Sequence, residues 1–313
     1  MAATIAGELR LGGAATLKAV QRLVQSEHIE TVLAPELMRL VSSSEPAVAV
    51  PSFLALAKLC GNSDLDLHPP ATFNAPEIAL AVSDQLTSTD IRMQAAATLA
   101  LTNMTQQHLA LESTILSRVV DAIETSTHEG LQRALLGFIG NASASSGACQ
   151  TLVNETNCIQ VLSELIQADH GEPLRGAAAL AIGNVLSTRD VTAQNLLRDV
   201  GGLPELVLLL SSTYADETNE CSAWAISHGV HQNGLSQDLV GDAGAIGMLL
   251  KLALSFDDDV RRNALMALYS SAISHQPNID RFKKNHGPAI VEDLLNDDVP
   301  ECREYASLLL KEL

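Results

Sequence analysis

Residues 199–232 read DVGGLPELVLLLSSTYADETNECSAWAISHGVHQ, and this stretch decides the fold. A glycine pair precedes an apolar segment over 203–211, which predicts a short helix after a sharp turn. An acidic turn follows, and the small and apolar residues over 217–231 predict a longer helix. Carboxylates in the turn are placed to cap the free N–H groups of that longer helix.

The same plan recurs about every 43 residues, which indicates a repeat solenoid. The short apolar segments begin at Leu116, Ile159, Leu203, Ile246 and Pro288, with weaker copies at Ala34 and Ile78. About seven such units account for nearly all of the 313 residues. No segment shows sustained apolar–polar alternation, so we predict an all-α chain without a sheet.

Two positions near the end of each longer helix support this register. One position carries asparagine in three units and histidine or serine in the next two: Asn103, Asn141, Asn184, His228 and Ser271. Two turns earlier the residue is always small: Ala96, Ala134, Ala177, Cys221, Ala264 and Ala306. Positions two turns apart share one helix face, and a small residue there lets neighbouring helices approach closely.

Charge and composition narrow the class of partner. Lys and Arg number 19 against 37 Asp and Glu, a net charge of −18. This balance argues against nucleic acid and against an anionic membrane surface, because both need clustered cations. A protein partner with a basic or mixed-charge segment is the natural counterpart.

The cysteines and the N-terminus bear on the compartment. Five scattered cysteines include no CxxC pair, and the first residues lack the long apolar run of a signal peptide. No segment approaches 18 uncharged apolar residues, so no transmembrane helix is expected. We therefore expect a reducing setting, cytoplasmic or also nuclear.

Three features predict the domain organisation. Residues 1–30 predict N-terminal capping helices with a break at Gly12 and Gly13, and residues 31–313 predict a single elongated solenoid. Residues 61–76 contain three prolines and predict an extended loop in the second unit. Glycines 201–202, 244 and 287 predict sharp turns between helices.

The repeats resemble the armadillo-repeat family. The resemblance rests on GGLPELVLLLSS, DAGAIGMLLKLALS and VRRNALMAL, and on the recurrent pattern in AAATLALTN, ALLGFIGN and AAALAIGN. It covers residues 30–313 and implies an armadillo-type α-solenoid, in which three-helix repeats form a right-handed superhelix. In that fold the third helices line a concave groove.

The resemblance also implies a partner-binding groove. In family members that bind extended peptides, the groove asparagine contacts the ligand backbone, which implicates Asn103, Asn141 and Asn184. His228 and Ser271 occupy the same slot with other hydrogen-bonding groups. The alternative interpretation of each asparagine is a bond within the repeats that ties the helix end to its surroundings.

Trp224 is the only tryptophan, and it separates possible subfamilies. Importin-α-like members place tryptophan four residues before the groove asparagine. The other equivalent positions here are Leu99, Gly137, Leu180 and Ala267, so a nuclear-transport adaptor is disfavoured. Trp224 is either an exposed interface anchor or a packed residue between repeats.

We therefore expect a non-enzymatic scaffold that binds an extended or helical protein segment in its groove. The alternative is an Hsp70 nucleotide-exchange cofactor of the HspBP1/Fes1 type, to which residues 257–282 are loosely similar. Cys221, His228 and His231 share a helix face, but no CxxC or HExxH motif accompanies them, so we expect neither a metal nor a cofactor. A histidine at position 228 predicts binding that is sensitive to pH near neutrality.

Overall fold

The computed structural model describes residues 2–26, 29, 31–41, 43, 45–60, 75–106, 112–167 and 169–313. Within these ranges the chain forms twenty α-helices and no strand, so the predicted all-α class is confirmed. The chain divides into two compact units, Met1–Ala148 and Cys149–Leu313. Most of the loop predicted over 61–76 lies outside the described residues, and Ala75 already begins a helix.

Unit 1 contains the predicted N-terminal helix pair and three pairs of short and long helices. Its helices are α1 (Ala2–Leu11), α2 (Gly13–Gln25), α3 (Ala34–Val41), α4 (Pro46–Cys60), α5 (Ala75–Ser83), α6 (Ile91–Gln106), α7 (Ser113–Thr125) and α8 (Glu129–Ala142). Gly12, between α1 and α2, and Gly13, the first residue of α2, both have positive φ, at 80° and 56°. The long helices pack in order, α4 against α6 and α6 against α8, and α2 packs on α4.

Unit 2 is built from three-helix repeats. Its helices are α9 (Ser146–Asn154), α10 (Cys158–Leu165), α11 (Glu172–Val185), α12 (Val191–Asp199), α13 (Gly202–Leu209), α14 (Asp216–Val230), α15 (Gly234–Asp242), α16 (Ala245–Leu252), α17 (Asp258–Ala272), α18 (Gln276–Lys284), α19 (Gly287–Asp293) and α20 (Pro300–Lys311). The unit boundary falls within α9. Every third helix packs on the next one: α11 on α14, α14 on α17, and α17 on α20. The helices predicted over 203–211 and 217–231 are α13 and α14.

Small buried residues allow this close stacking of third helices. Cys221, Ala264 and Ala306 are all buried at the slot where the sequence predicts a small side chain. Ala177 is half-buried, and in unit 1 Ala96 is buried whereas Ala134 is exposed. The prediction of close approach therefore holds best along α14, α17 and α20.

Left-handed residues end the first helices of the repeats. Gly201 and Gly244 have φ of 78° and 87° and lie between the first and second helices, as predicted. In the last repeat the left-handed residue is His286, with φ of 60°, so the turn predicted at Gly287 is displaced by one residue. Gly287 instead opens α19, where a Cβ atom would come within 2.4 Å of Phe282. Glycine is needed there for space and not for its backbone angle.

A second set of left-handed residues marks the passage from each third helix to the next repeat. Arg189, Gln232 and Ser274 have φ of 54°, 55° and 53°. None of them is glycine, although a left-handed backbone is unfavourable for other residues. We call these three positions the repeat junctions.

Candidate protein-binding surface

One face of α14 carries a line of accessible side chains. Glu217, Glu220, Trp224 and His231 follow each other at intervals of three, four and seven residues, so they share a face. Glu217 is exposed and the other three are half-buried. We call these four residues the α14 stripe; at 1.5 Å per residue it is about 21 Å long. Its start is acidic, its centre is aromatic and its end is an imidazole.

Trp224 at the centre of the stripe is fixed by neighbours in α11 and α14. Its indole Nε1 donates to Asn184 Oδ1 at 3.2 Å. Its ring meets His228 edge-to-face, with the ring centroids 4.3 Å apart. Gly183 makes room for the indole, because a Cβ there would lie 2.1 Å from Trp224 Cδ1. Trp224 is thus both packed between two repeats and partly accessible, which combines the two interpretations drawn from the sequence.

The three predicted groove asparagines differ in their surroundings. Asn103, on α6 of unit 1, is half-buried and donates through Nδ2 to Ala57 O at 2.7 Å, which is the within-solenoid bond of the alternative interpretation. Asn141, on α8, is exposed. Asn184, on α11 of unit 2, uses its carbonyl for Trp224, and its Nδ2 makes no hydrogen bond within the described part of the chain. Asn141 and Asn184 thus have amide groups that a partner can reach.

His228 and Ser271 occupy the same slot but are enclosed. His228 is 5% exposed, Ser271 is fully buried, and their side-chain polar atoms have no hydrogen-bond partner among the described residues. Burial, together with Arg189 and His231, lowers the pKa of His228 to about 4. The expectation that His228 titrates near neutrality is therefore wrong. In the folded protein, both side chains therefore lie beneath the accessible surface.

The first turns of α14 and α17 bring carboxylates together at the acidic end of the stripe. Burial raises the pKa of Glu220, and Asp259, Asp257 and Glu217 raise it further. Arg262 opposes them, but it also forms an ion pair with Asp259 at 2.5 Å. A cation at this end of the stripe would relieve the excess negative potential.

The opposite end of the stripe holds residues that the sequence did not single out as a group. Arg189 Nη1 lies 3.2 Å from His231 Nε2, and His231 Nδ1 lies 3.3 Å from Ser270 Oγ. The ring of Tyr269 lies 6.5 Å from that of His231 and 6.1 Å from that of Tyr305. We call Arg189, His231, Tyr269 and Tyr305 the Arg189 cluster. Aromatics form only 3% of the chain, so tyrosines in successive third helices were the available signal.

Across the described ranges, no group of three or more His, Cys, Asp and Glu residues is arranged to hold a metal ion. No helix in the described part has the length and apolar character required to cross a bilayer.

Solved structures share this architecture. An engineered protein matches with a TM-score of 0.79 and 23% identity, over 98% of this chain and 77% of its own. A designed armadillo repeat protein in complex with a (KR)4 peptide matches with a TM-score of 0.65 and 22% identity, over 77% of this chain and 99% of its own. The chain has the armadillo-repeat fold.

Comparisons of amino-acid sequence find a more limited likeness to known proteins than the comparisons of structure do. No family model matches the chain. The Hsp70 nucleotide exchange factor FES1 of Coccidioides immitis (strain RS) is 27% identical over 168 residues, 53% of this chain and 70% of that protein. The protein of the same name from Gibberella zeae is 35% identical over 77 residues, 22% of this chain and 36% of its own length.

Proposed function

We propose that the armadillo repeats form a non-enzymatic protein-binding scaffold, which holds an extended or helical segment of a partner on the surface of its third helices. The observation that carries this proposal is Trp224, held by Asn184 and placed on one face with Glu217 and Glu220. A rigid, partly accessible aromatic ring is a common interface anchor. Beside carboxylates it suits a Lys or Arg side chain, whose stem covers the indole while its charge reaches the acids.

Hydrogen bonds to the partner's backbone form the second part of the proposal. An asparagine amide offers both a donor and an acceptor, which matches a peptide group. In unit 2 Asn184 keeps its Nδ2 for this purpose, and in unit 1, considered by itself, Asn141 is exposed. Asn103 contributes the hydrogen-bonding groups of its side-chain amide that its bond to Ala57 does not use. His228 and Ser271 support this surface from beneath.

The (KR)4 peptide bound by the designed armadillo relative supplies a defined probe. We expect labelled (KR)4 to bind the full chain in a fluorescence anisotropy titration, with an affinity that falls as salt rises. Trp224→Ala should weaken binding at least tenfold, corresponding to a loss of about 1.4 kcal/mol or more. Glu217→Gln removes an exposed charge and should weaken binding about threefold.

Leu235→Ala is the matched control, because Leu235 is 65% exposed and lies on α15, outside the stripe. Its affinity for (KR)4 should equal that of the wild type. Circular dichroism melts establish that each variant is folded. If folded Trp224→Ala and Glu217→Gln bind (KR)4 as tightly as the wild type, the stripe is not the binding surface.

A second candidate function is nucleotide exchange on Hsp70, favoured by the likeness to the two FES1 proteins. This too is a scaffold activity, in which the chain grips a folded partner. The test is the rate at which a labelled nucleotide leaves Hsp70 when the full chain is added. Acceleration that saturates with chain concentration supports exchange, and an unchanged rate at high concentration eliminates it.

We also propose a reducing cytoplasmic or nuclear setting for this scaffold. All five cysteines are buried thiols outside any disulfide, as suits proteins of a reducing compartment, and this supports the proposal. Burial raises the pKa of Cys60 and of Cys158 to about 12, so neither thiol is a reactive nucleophile.

A further inference from the structure

Arg189 differs from the other arginines described in unit 2, because Arg175 and Arg303 donate to backbone carbonyl oxygens and the rest pair with carboxylates. It is exposed, and its one polar side-chain contact among the described residues is His231. In the same unit, Arg198 pairs with Asp199, Arg261 with Asp297, and Arg281 with Asp242. Acidic residues outnumber basic ones in this chain by 37 to 19, so an arginine without a carboxylate is unexpected.

The contact with His231 holds the guanidinium without neutralising it. A guanidinium only donates, so Nε2 of His231 must accept, and Nδ1–H then donates to Ser270. Burial and the charge of Arg189 lower the pKa of His231, which keeps the ring neutral. No carboxylate among the described residues pairs with Arg189, and its other N–H groups remain free for a ligand. Arg189 is also a repeat junction, and its left-handed backbone restricts the direction in which its side chain leaves the main chain.

The two ends of the α14 stripe thus carry opposite potentials. Glu217 and Glu220 lie at one end, and Arg189 contacts His231 at the other. From Glu220 to His231 the helix rises about 16 Å. An extended segment that crosses the third helices projects alternate side chains to opposite sides. Such a segment can present a cation to the acidic end and an anion to the Arg189 end.

We propose that the Arg189 cluster binds a carboxylate of the partner segment, either an Asp or Glu side chain or a C-terminal carboxylate. Arg189 supplies a charge-assisted hydrogen bond, and the rings of Tyr269 and Tyr305 border the site. This inference rests on the proposed function and sharpens it, because it requires a mixed-charge ligand in which one acidic group occupies a fixed position among basic ones.

The experiment is a positional scan on (KR)4. Eight C-terminally amidated peptides each carry one Glu replacement, and each is titrated against the full chain by anisotropy. Seven replacements should weaken binding, because they remove a cation from an acidic surface. One replacement should bind about fivefold tighter than the mean of the others. A free-acid form of (KR)4 that gains the same factor over its amide assigns the site to a terminal carboxylate instead.

Three variants make the assignment specific. Arg189→Gln should abolish the preference, and Arg189→Glu should reverse it, so that the native cationic residue binds better there. Lys251→Gln is the matched control: it removes the same charge from an exposed position on α16 and should preserve the preference. Melting curves check that all three variants are folded.

The outcomes separate this inference from the proposed function. If (KR)4 binds but every Glu replacement weakens binding alike and the free acid gains nothing, the carboxylate site is refuted while the scaffold proposal stands. A preferred position that persists in Arg189→Gln also refutes the site. If neither (KR)4 nor any scan peptide binds, the scaffold proposal fails and the carboxylate site fails with it.

Discussion

Adding one methyl group at Gly183 should disturb the centre of the proposed binding surface. A Cβ atom at this position would lie 2.1 Å from Cδ1 and 2.6 Å from Nε1 of Trp224, far inside normal contact distance. The indole must move, and its bond to Asn184 is lost with it. Overpacking costs about 1–3 kcal/mol, and the lost hydrogen bond costs about 1 kcal/mol. Alanine returns up to about 1 kcal/mol through its higher helix propensity. Gly183→Ala should therefore destabilise unit 2 by about 1–3 kcal/mol.

Gly137→Ala is the matched control for this prediction. Gly137 lies within α8 of unit 1, also a third helix, and a Cβ there would meet nothing within 4 Å. The same substitution should therefore stabilise the protein by about 0.5–1 kcal/mol. The two variants make the same chemical change and should shift stability in opposite directions, because only one of them meets an indole.

Trp224 reports its own displacement because it is the only tryptophan. Urea unfolding followed by circular dichroism gives the stability of both variants, and tryptophan emission reports on the indole. Gly183→Ala should shift the emission maximum to the red and weaken (KR)4 binding, whereas Gly137→Ala should leave the emission unchanged. The reasoning is refuted if Gly183→Ala is as stable as Gly137→Ala and its emission matches the wild type.

Three further perturbations test other parts of the molecule. Arg261→Met should lower the free energy of unfolding by about 3 kcal/mol, because the buried Asp297 carboxylate loses its cation. Burial raises the pKa of Asp297, but the bonds from Arg261 and Val299 outweigh burial, so the net pKa is lowered. The stabilisation by this ion pair should therefore fade as the pH falls below about 4, as measured by urea unfolding. The pKa of His228 falls from 6.5 to about 4 on folding, so the stability of the protein should decline as the pH drops from 6.5 towards 4. At pH 5, His228→Leu should remove about 2 kcal/mol of that decline. A wild-type protein whose stability does not change over this pH range would contradict the reasoning. Deletion of residues 1–25 should lower the stability of unit 1 by about 3 kcal/mol, since α2 buries Ala19, Val20 and Leu23; an unchanged melting temperature would show that these helices do not cap the solenoid.

The helices were predictable from the sequence because each repeat carries the same pattern of apolar, small and turn-forming residues, so that each copy supports the others. Glycine turns and small residues fixed α13 and α14 to within one or two residues, but the predicted carboxylate cap of α14 is wrong, because Ala215 is its N-cap and no side chain of the described residues caps it. The displaced turn at His286 escaped prediction because glycine has two uses. Gly201 supplies a left-handed angle, whereas Gly287 supplies space beside Phe282. The sequence alone does not distinguish these two uses of glycine, because it does not show that the ring of Phe282 lies beside Gly287.

The binding surface was predictable only in part, for a geometric reason. A repeat position fixes the face of a helix but not how deeply the next repeat covers it. His228 and Ser271 share the slot of Asn184, yet they are enclosed. The Arg189 cluster is harder still, because its members occupy unrelated repeat positions and meet only when successive third helices are stacked.

The repeat junctions have a consequence for how such a chain can change length. Arg189, Gln232 and Ser274 share a left-handed φ of 54°, 55° and 53°, so each third helix is followed by the same kind of break before the next repeat. In a repeat solenoid each repeat also depends mainly on its immediate neighbours. Duplication or excision of one whole module between junctions should leave a foldable protein. The identity of the junction side chain would then travel with its module, so that a copied Arg189 would copy one positive charge, whereas its neighbours His231, Tyr269 and Tyr305 belong to later modules.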